Sequence, residues 1–339
     1  MTASHQQPVV WMFPGQGVQY FQMGRMLYDG NETFRLWMDR LDAVAADYVG
    51  QSVVDVLYDS AHTKGEAFDQ ILYTHPALFM VQYAMARTLL AAGVAAPDYL
   101  LGASLGEFIA AAVAEVAAPE AMLFDLIKQA RLFEAHCEGA MLLVIDDVAT
   151  FRTNPAFAED CELAGTNFDR CFVVSGPTSR IEQVAVQLKQ QDVVHQRLPV
   201  SVAFHSSRVD HLEALFMRTF ASMASAAAKI PVVSCAAPVN GAAPASDAAE
   251  ADRFSAAYWW QVIRQPIAFQ RTLIEFDREH RRAVYLDLGP SGNMASFVKY
   301  NLATTAHERI LPVMTPFGRD LEALESARGK LARLARDPL

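Results

Sequence analysis

Cysteine is scarce and scattered in this sequence. Its four thiols, Cys137, Cys161, Cys171 and Cys235, form no Cys-x-x-Cys pair. That spacing excludes a local zinc-ligand set and gives no disulfide framework. Reduced thiols, a cytoplasmic location and no resident metal or cofactor are the expectation. Positive charge is also in deficit, with 28 Lys and Arg against 38 Asp and Glu, a net charge of −10. Such a balance argues against nucleic acid and against an anionic membrane surface as partners. Long apolar runs are missing too. The longest candidate, residues 78–96, is interrupted by Gln82 and Arg87, so no membrane span is expected. Residues 1–8 lack the basic and apolar regions of a signal peptide. No internal repeat or low-complexity tract is present. The glycine-rich stretch 14–19 is not followed by Gly-Lys-Ser/Thr, which excludes the phosphate-binding loop of nucleotide hydrolases. What remains is a globular composition, 52% hydrophobic and 19% charged over 339 residues, enough for one large domain or two.

The stretch around which the chain is organised is Gly102-Ala103-Ser104-Leu105-Gly106-Glu107. An apolar run at 99–101 reads as a buried strand, and residues 110–117 favour helix. Between them lies Gly-x-Ser-x-Gly. Two glycines without Cβ atoms allow a sharp turn that holds the serine in a strained conformation at a strand tip. The following helix would start there with free N–H groups aimed at any oxyanion formed. The plain alternative is a Gly/Ser turn joining a strand to a helix.

Upstream, residues 9–13 read as a strand that ends in Pro14-Gly15-Gln16-Gly17-Val18-Gln19. Either glutamine of that loop could donate its carboxamide to an anion. Helical spacing of apolar residues marks 31–48, capped by Asn31 or Thr33, and a helix over 77–90 begins after His75-Pro76. His75 reads as a local cap or packing residue. A further helix is predicted at 120–135. From residue 140 the texture changes. Strands at 141–145, 161–166, 171–175 and 193–198 alternate with a weak helix at 149–158 and an amphipathic one at 180–191. That β-α-β-β-α-β order is the ferredoxin-like pattern. It defines a small inserted domain, 139–199, within a larger domain made of 1–138 and 200–339. A helix at 211–224, a strand at 230–235, a loop at 236–251, helices at 258–263 and 268–279, strands at 283–288 and 310–313, and helices at 294–302 and 321–336 complete the large domain.

Ser104 needs a base, because a hydroxyl attacks poorly until an imidazole takes its proton. Of nine histidines, His205 in Ala203-Phe204-His205-Ser206 is the candidate, with a pKa near working pH. His211 is the alternative, but it falls on a predicted helix. No acid stands out as a third member. A backbone carbonyl can orient the imidazole equally well, so a Ser/His dyad is expected.

These motifs, in this order, resemble the acyltransferases of the malonyl-CoA:acyl carrier protein transacylase family, including the free-standing ones of polyketide assembly lines. The resemblance runs over roughly residues 9–315. It is carried by Phe13-Pro14-Gly15-Gln16-Gly17-Val18-Gln19, the Ser104 elbow, Asn167 ahead of Val173-Val174-Ser175-Gly176, Ala203-Phe204-His205-Ser206, Tyr258-Trp259 before Gln265-Pro266, and Leu288-Gly289-Pro290. The resemblance implies an α/β fold: an α/β-hydrolase-like large domain with a central, mainly parallel sheet, plus the ferredoxin-like insert, and a site in the cleft between them. It implies that Ser104 carries the acyl group as an ester and that His205 is the base. Gln16 and the backbone N–H of Leu105 would form the oxyanion hole. A carbonyl near Val262 would orient His205, while Asn167, Phe204, Ala103 and the residue at 129 would line the substrate site. The implied partner is an acyl carrier protein bearing a phosphopantetheinyl thioester, or an acyl-CoA, and a monomer is expected.

Two departures bear on activity. The residue before the nucleophile is usually His in this family and is Ala103 here. Malonyl-loading members carry an arginine 25 residues beyond the serine, whose guanidinium clamps the substrate's free carboxylate. That position is Gln129. Arg131 lies two residues on, about 200° round a helix, and faces elsewhere unless the helix shifts locally. Gln129 read alone is also compatible with a plain surface position. A glutamine here resembles the acyl hydrolases of trans-acyltransferase polyketide pathways, which are thought to strip stalled acyl units from carrier proteins. Acyl hydrolase is therefore the expected activity. The alternatives are an acyltransferase that loads malonyl or another acyl group from coenzyme A, and a non-catalytic docking protein.

Overall fold

A computed structural model of the chain describes residues 7–157, 160–223, 225–236 and 253–336. Its centre is a five-stranded sheet of β1 (Val9–Phe13), β2 (Tyr99–Gly102), β7 (Val232–Ser234), β8 (Val284–Asp287) and β9 (Ile310–Pro312), numbered among the nine strands of the described residues. The order is β7-β2-β1-β8-β9 and every pairing is parallel. Parallel strands need helical crossovers, which bury both faces and make each strand a nearly continuous apolar run. Val9-Val10-Trp11-Met12-Phe13 is such a run. Its side chains alternate, Trp11 and Phe13 entering one buried cluster and Val10 and Met12 the other. The helices Ile71–Ala91, Gly106–Val113 and Pro119–His136 cover the first face. Phe269–Glu279 and Asn293–Asn301 cover the second.

A second sheet is antiparallel, in the order β4-β5-β3-β6, built from β3 (Ala140–Ile145), β4 (Glu162–Phe168), β5 (Cys171–Gly176) and β6 (Val194–Arg197). This is the ferredoxin-like arrangement that the strand order implies. The helix Thr178–Gln190 packs Ile181, Val184 and Leu188 on Leu142, Val144, Phe172 and Val174. The alternate residues Met141, Leu143 and Val173 point the other way, into the cleft beside the parallel sheet. The two sheets are joined by main-chain bonds as well as by connections. Ile267 donates its N–H to Ala164 O at 2.8 Å and accepts from Thr166 N–H at 2.9 Å, both on β4. The next N–H, of Ala268, reaches Cys235 O at 2.7 Å beside β7.

Two predicted elements differ from the observed ones. The long helix starts at Ile71, not after Pro76, and carries Pro76 inside it. Nearly all of the helix is buried, and tertiary packing outweighs the lost hydrogen bond. The predicted helix at 211–224 is a 3₁₀ turn, Ser207–Leu212, followed by a short helix, Glu213–Thr219. The expected loop at 236–251 falls, beyond residue 236, outside the described residues. Among the described residues no helix is long and apolar enough to cross a membrane.

Candidate active site

The elbow is built at the end of β2. Ala103 N–H bonds Phe13 O at 3.0 Å, extending the sheet by one rung, and the chain then reverses, with Gly106 N–H on Ala103 O and Glu107 N–H on Ser104 O. Ser104 takes a left-handed conformation, φ 55°. Strain of that kind, of order 1–3 kcal/mol, persists only where the surroundings enforce it. The enforcement is close packing. A Cβ on Gly106 would lie 1.8 Å from Phe13 O, and one on Gly102 would lie 2.6 Å from Glu107 Cα. Both obstacles are backbone, so neither position admits a side chain.

Opposite the elbow, His205 is buried, and its Nε2 lies 2.9 Å from Ser104 Oγ. Its Nδ1 lies 2.8 Å from Gln265 O. A carbonyl only accepts, so Nδ1 carries the proton and Nε2 is left to accept from the serine hydroxyl. His205 is itself left-handed, φ 58°, with its N–H held by Ile263 O at 3.1 Å. The orienting carbonyl is thus Gln265's and not one near Val262. The reason is local. The helix Ala256–Arg264 ends there, and Pro266 pushes Gln265 into an extended conformation, φ −78°, ψ 149°, which turns its carbonyl off the helix axis.

Burial moves the His205 pKa down to about 4. The bond to Gln265 O acts the other way, and the nearby Arg264 charge adds to the lowering. The group therefore does not sit near working pH but is neutral there, which is the state a base must have. The sign follows. Protonation removes the acceptor, so acylation of Ser104 is expected to be flat between about pH 5.5 and 8 and to fall tenfold per unit below about 4. A stopped-time pH series of acyl-enzyme formation checks this, and an inflection near 6.5 would contradict it.

The glutamines of the 14–19 loop separate. Gln19 is tied down, donating to Phe68 O at 3.0 Å and Pro199 O at 2.7 Å and accepting from Gly17 N–H. Gln16 donates to Thr74 Oγ1 at 2.9 Å and lines the same cavities as Ser104. The Leu105 N–H heads the elbow helix and has no partner among the described residues. Gln16 and Leu105 both line the inner cavity beside Ser104.

Two cavities meet at Ser104. The outer one, about 100 Å³, is bounded by the elbow and the β3–β5 face of the small sheet, and is lined by Ala103, Asn167 and His205 among mostly apolar side chains. The inner one, about 20 Å³, lies on the helical side and is lined by Gln129 and Phe204 together with His75. Gln129 is only 4% exposed, so it is not a surface residue. Arg131 points away and donates to Tyr48 O. No positive side chain lines either cavity. His211 is remote from Ser104, bonded to His136 O at 3.2 Å.

Sequence reasoning missed Glu107. It is fully buried and joins the elbow helix to Ser234 Oγ at 3.0 Å, to Cys235 N–H at 3.1 Å and to the Tyr258 hydroxyl. Burial raises its pKa to about 7, against the pull of those bonds. The available signal was a glutamate in an otherwise apolar helix start. The four cysteines are free thiols. Among the described residues, no group of three or more His, Cys, Asp and Glu could hold a metal ion.

A parallel sheet carrying a serine elbow, with a ferredoxin-like sheet across the cleft, is the acyltransferase fold. The chain belongs to the acyl transferase domain family, whose model matches residues 10–337. Over 320 residues it is 38% identical to the polyketide biosynthesis acyltransferase homolog BaeD of Bacillus velezensis, covering 94% of this chain and 95% of that one. The acyltransferase domain from the second module of the salinomycin polyketide synthase superimposes with a TM-score of 0.79 at 27% identity, over 98% of this chain and 77% of that one. The malonyl CoA-acyl carrier protein transacylase of Coxiella burnetii shares the fold, with a TM-score of 0.77 at 21% identity over 96% and 99% of the two chains.

Proposed function

We propose that this chain is an acyl hydrolase that acts in trans, removing neutral acyl groups from acyl carrier protein thioesters in polyketide biosynthesis. The observation that carries this reading is Gln129, buried against Ser104 where a carboxylate-binding cation would stand, with no charge to replace it. A malonyl carboxylate entering that cavity would be desolvated without a partner, at a cost of several kcal/mol. A neutral acyl group meets no such penalty. The polyketide setting is supported by the 38% identity to the Bacillus relative.

The chemistry proceeds in two halves. Ser104 Oγ attacks the thioester carbonyl carbon as His205 Nε2 takes the hydroxyl proton. The oxyanion is held by Leu105 N–H and Gln16. The C–S bond breaks and the imidazolium returns its proton to the departing pantetheine sulfur. Water then occupies the sulfur's place in the outer cavity. His205 removes a proton from it, the hydroxide equivalent attacks the ester, and the C–O bond to Ser104 breaks as the imidazolium reprotonates Oγ. Free acid leaves, and the site is restored.

The second reading, acyl transfer from coenzyme A to the carrier, uses the same first half and replaces water with a second thiol. It is supported by the outer cavity, whose mostly apolar lining carries no charged group that would favour water over a thiol as acceptor. Intact-protein mass spectrometry distinguishes them. The purified chain, incubated with acetyl- or butyryl-loaded carrier protein, should return the free-thiol carrier with loss of the acyl mass. Loading of malonyl from malonyl-CoA onto the carrier, at a rate above that of acyl release, would make transfer the function.

A further inference from the structure

The inner cavity has a property the hydrolase reading does not use. Its walls, mostly Leu105, Phe108, Phe204, Val262 and Ile263, are apolar, yet three polar side chains line it with Ser104: Gln16, which is bonded to Thr74, and Gln129 and His75. His75 is 2% exposed and Gln129 is 4% exposed. The Nδ1 of His75 and the Oε1 of Gln129 are both buried without a hydrogen-bond partner among the described residues. Such atoms are rare, and each costs about 1–3 kcal/mol when left unpaired. Neither is explained by the fold. The helix Ile71–Ala91 would bury an apolar residue at 75 as readily as it buries Ala77 and Leu78 on the next positions. Burial holds the imidazole of His75 neutral, its pKa lowered to about 3, so the ring offers one donor and one acceptor and no charge. The Gln129 carboxamide likewise offers both and no charge. At about 20 Å³ the cavity admits one water-sized group.

We infer that His75 and Gln129 form a neutral hydrogen-bonding pair that selects short acyl groups bearing a hydroxyl on the third carbon, 3-hydroxyacyl units, over saturated chains of the same length. The inference rests on the reading of this site as one for neutral acyl groups. Ser104 itself lines this small cavity, so the assignment is to a group close to the ester, on the third carbon of the acyl chain. A hydroxyl on the third carbon then enters between the two side chains, donating to Gln129 Oε1 and accepting from His75 Nδ1 in its protonated tautomer. A methylene in that place would expel any water and leave both polar atoms unpaired. Sites of this kind reject the analogue that lacks the hydrogen-bonding group far more strongly than apolar pockets reject a size change. His75 acts on substrate choice through contact with the acyl chain. It takes no part in the proton transfers at Ser104.

The test uses the full chain and a carrier protein loaded with either 3-hydroxybutyryl or butyryl pantetheine, and reads the rate of acyl-Ser104 formation by intact mass. The expected result is acylation at least tenfold faster from the 3-hydroxybutyryl carrier. His75→Leu and Gln129→Leu, each checked for an unchanged melting profile, should bring the ratio to within about threefold of one, chiefly by slowing the hydroxylated substrate. His75→Gln, which keeps a donor and an acceptor, should retain most of the preference. Equal rates in the native chain, or a preference that survives both leucine substitutions, would overturn the inference. If His75→Leu does not fold, Gln129→Leu and His75→Gln still decide it. Acylation with the expected preference but no release to water would count against the hydrolase reading and leave the pocket assignment standing.

Discussion

Ser104→Ala is expected to abolish acyl-enzyme formation, with loss on the order of 10⁵-fold in acyl release from a loaded carrier. The argument is geometric. Ser104 Oγ lies 2.9 Å from a neutral, carbonyl-oriented imidazole, and among the described residues no other hydroxyl is bonded to His205. Groups that act as a unit lose nearly the whole of their joint effect when either is removed. His205→Ala should therefore be about as severe, and the double variant should be no slower than the worse single one. Residual activity would come from the oxyanion donors alone. Folding should be little changed, because alanine tolerates φ 55° no worse than serine does. Intact mass after incubation with loaded carrier is the measurement. A Ser104→Ala chain that still releases acyl groups at the native rate would remove the catalytic reading altogether and favour a docking role.

Gln129→Arg should carry the next largest effect, a gain of about ten- to a hundredfold in self-loading from malonyl-CoA. A charge-assisted bond to a carboxylate contributes about 1.5–3 kcal/mol against 0.5–1.5 for a neutral one, and in a shielded cavity the difference grows. The position is right because Gln129 shares the inner cavity with Ser104. The gain has a cost elsewhere. Without substrate, the new guanidinium would be buried beside Phe108 and Phe204 with no anion, so the free protein should melt several degrees lower and malonyl-CoA should restore part of the loss. Acylation by acetyl or butyryl groups should fall. An Arg variant that folds and yet shows no gain with malonyl-CoA would mean that the acyl chain does not reach this cavity.

The parts of the site legible in the sequence were those fixed by local chain geometry. Gly102 and Gly106 announce the elbow because the turn brings Phe13 O and the Glu107 backbone where a Cβ would sit. The four small-sheet strands were legible because short apolar runs alternate there with one amphipathic helix. The carbonyl that orients His205 was placed three residues too early, since a helix end is set by how Gln265 adjusts to Pro266 and not by periodicity. The pKa of His205 was misjudged because desolvation depends on what packs around the ring, which spacing does not encode. The same holds for His75. Beside a proline it looks like a cap, and only the packed helix bundle shows it four residues inside a buried helix, facing the nucleophile. Glu107 was read as part of a motif, whereas its partners Ser234, Cys235 and Tyr258 lie more than a hundred residues away.

The main-chain bonds of Ile267 to Ala164 and Thr166 have a mechanical meaning. They fasten an edge of the small sheet to a segment only two residues beyond the carbonyl that steers His205. One stretch of three residues, 265–267, thus sets both the tilt of the imidazole towards Ser104 and the seat of the small sheet, so a change that shifts this backbone disturbs the two together.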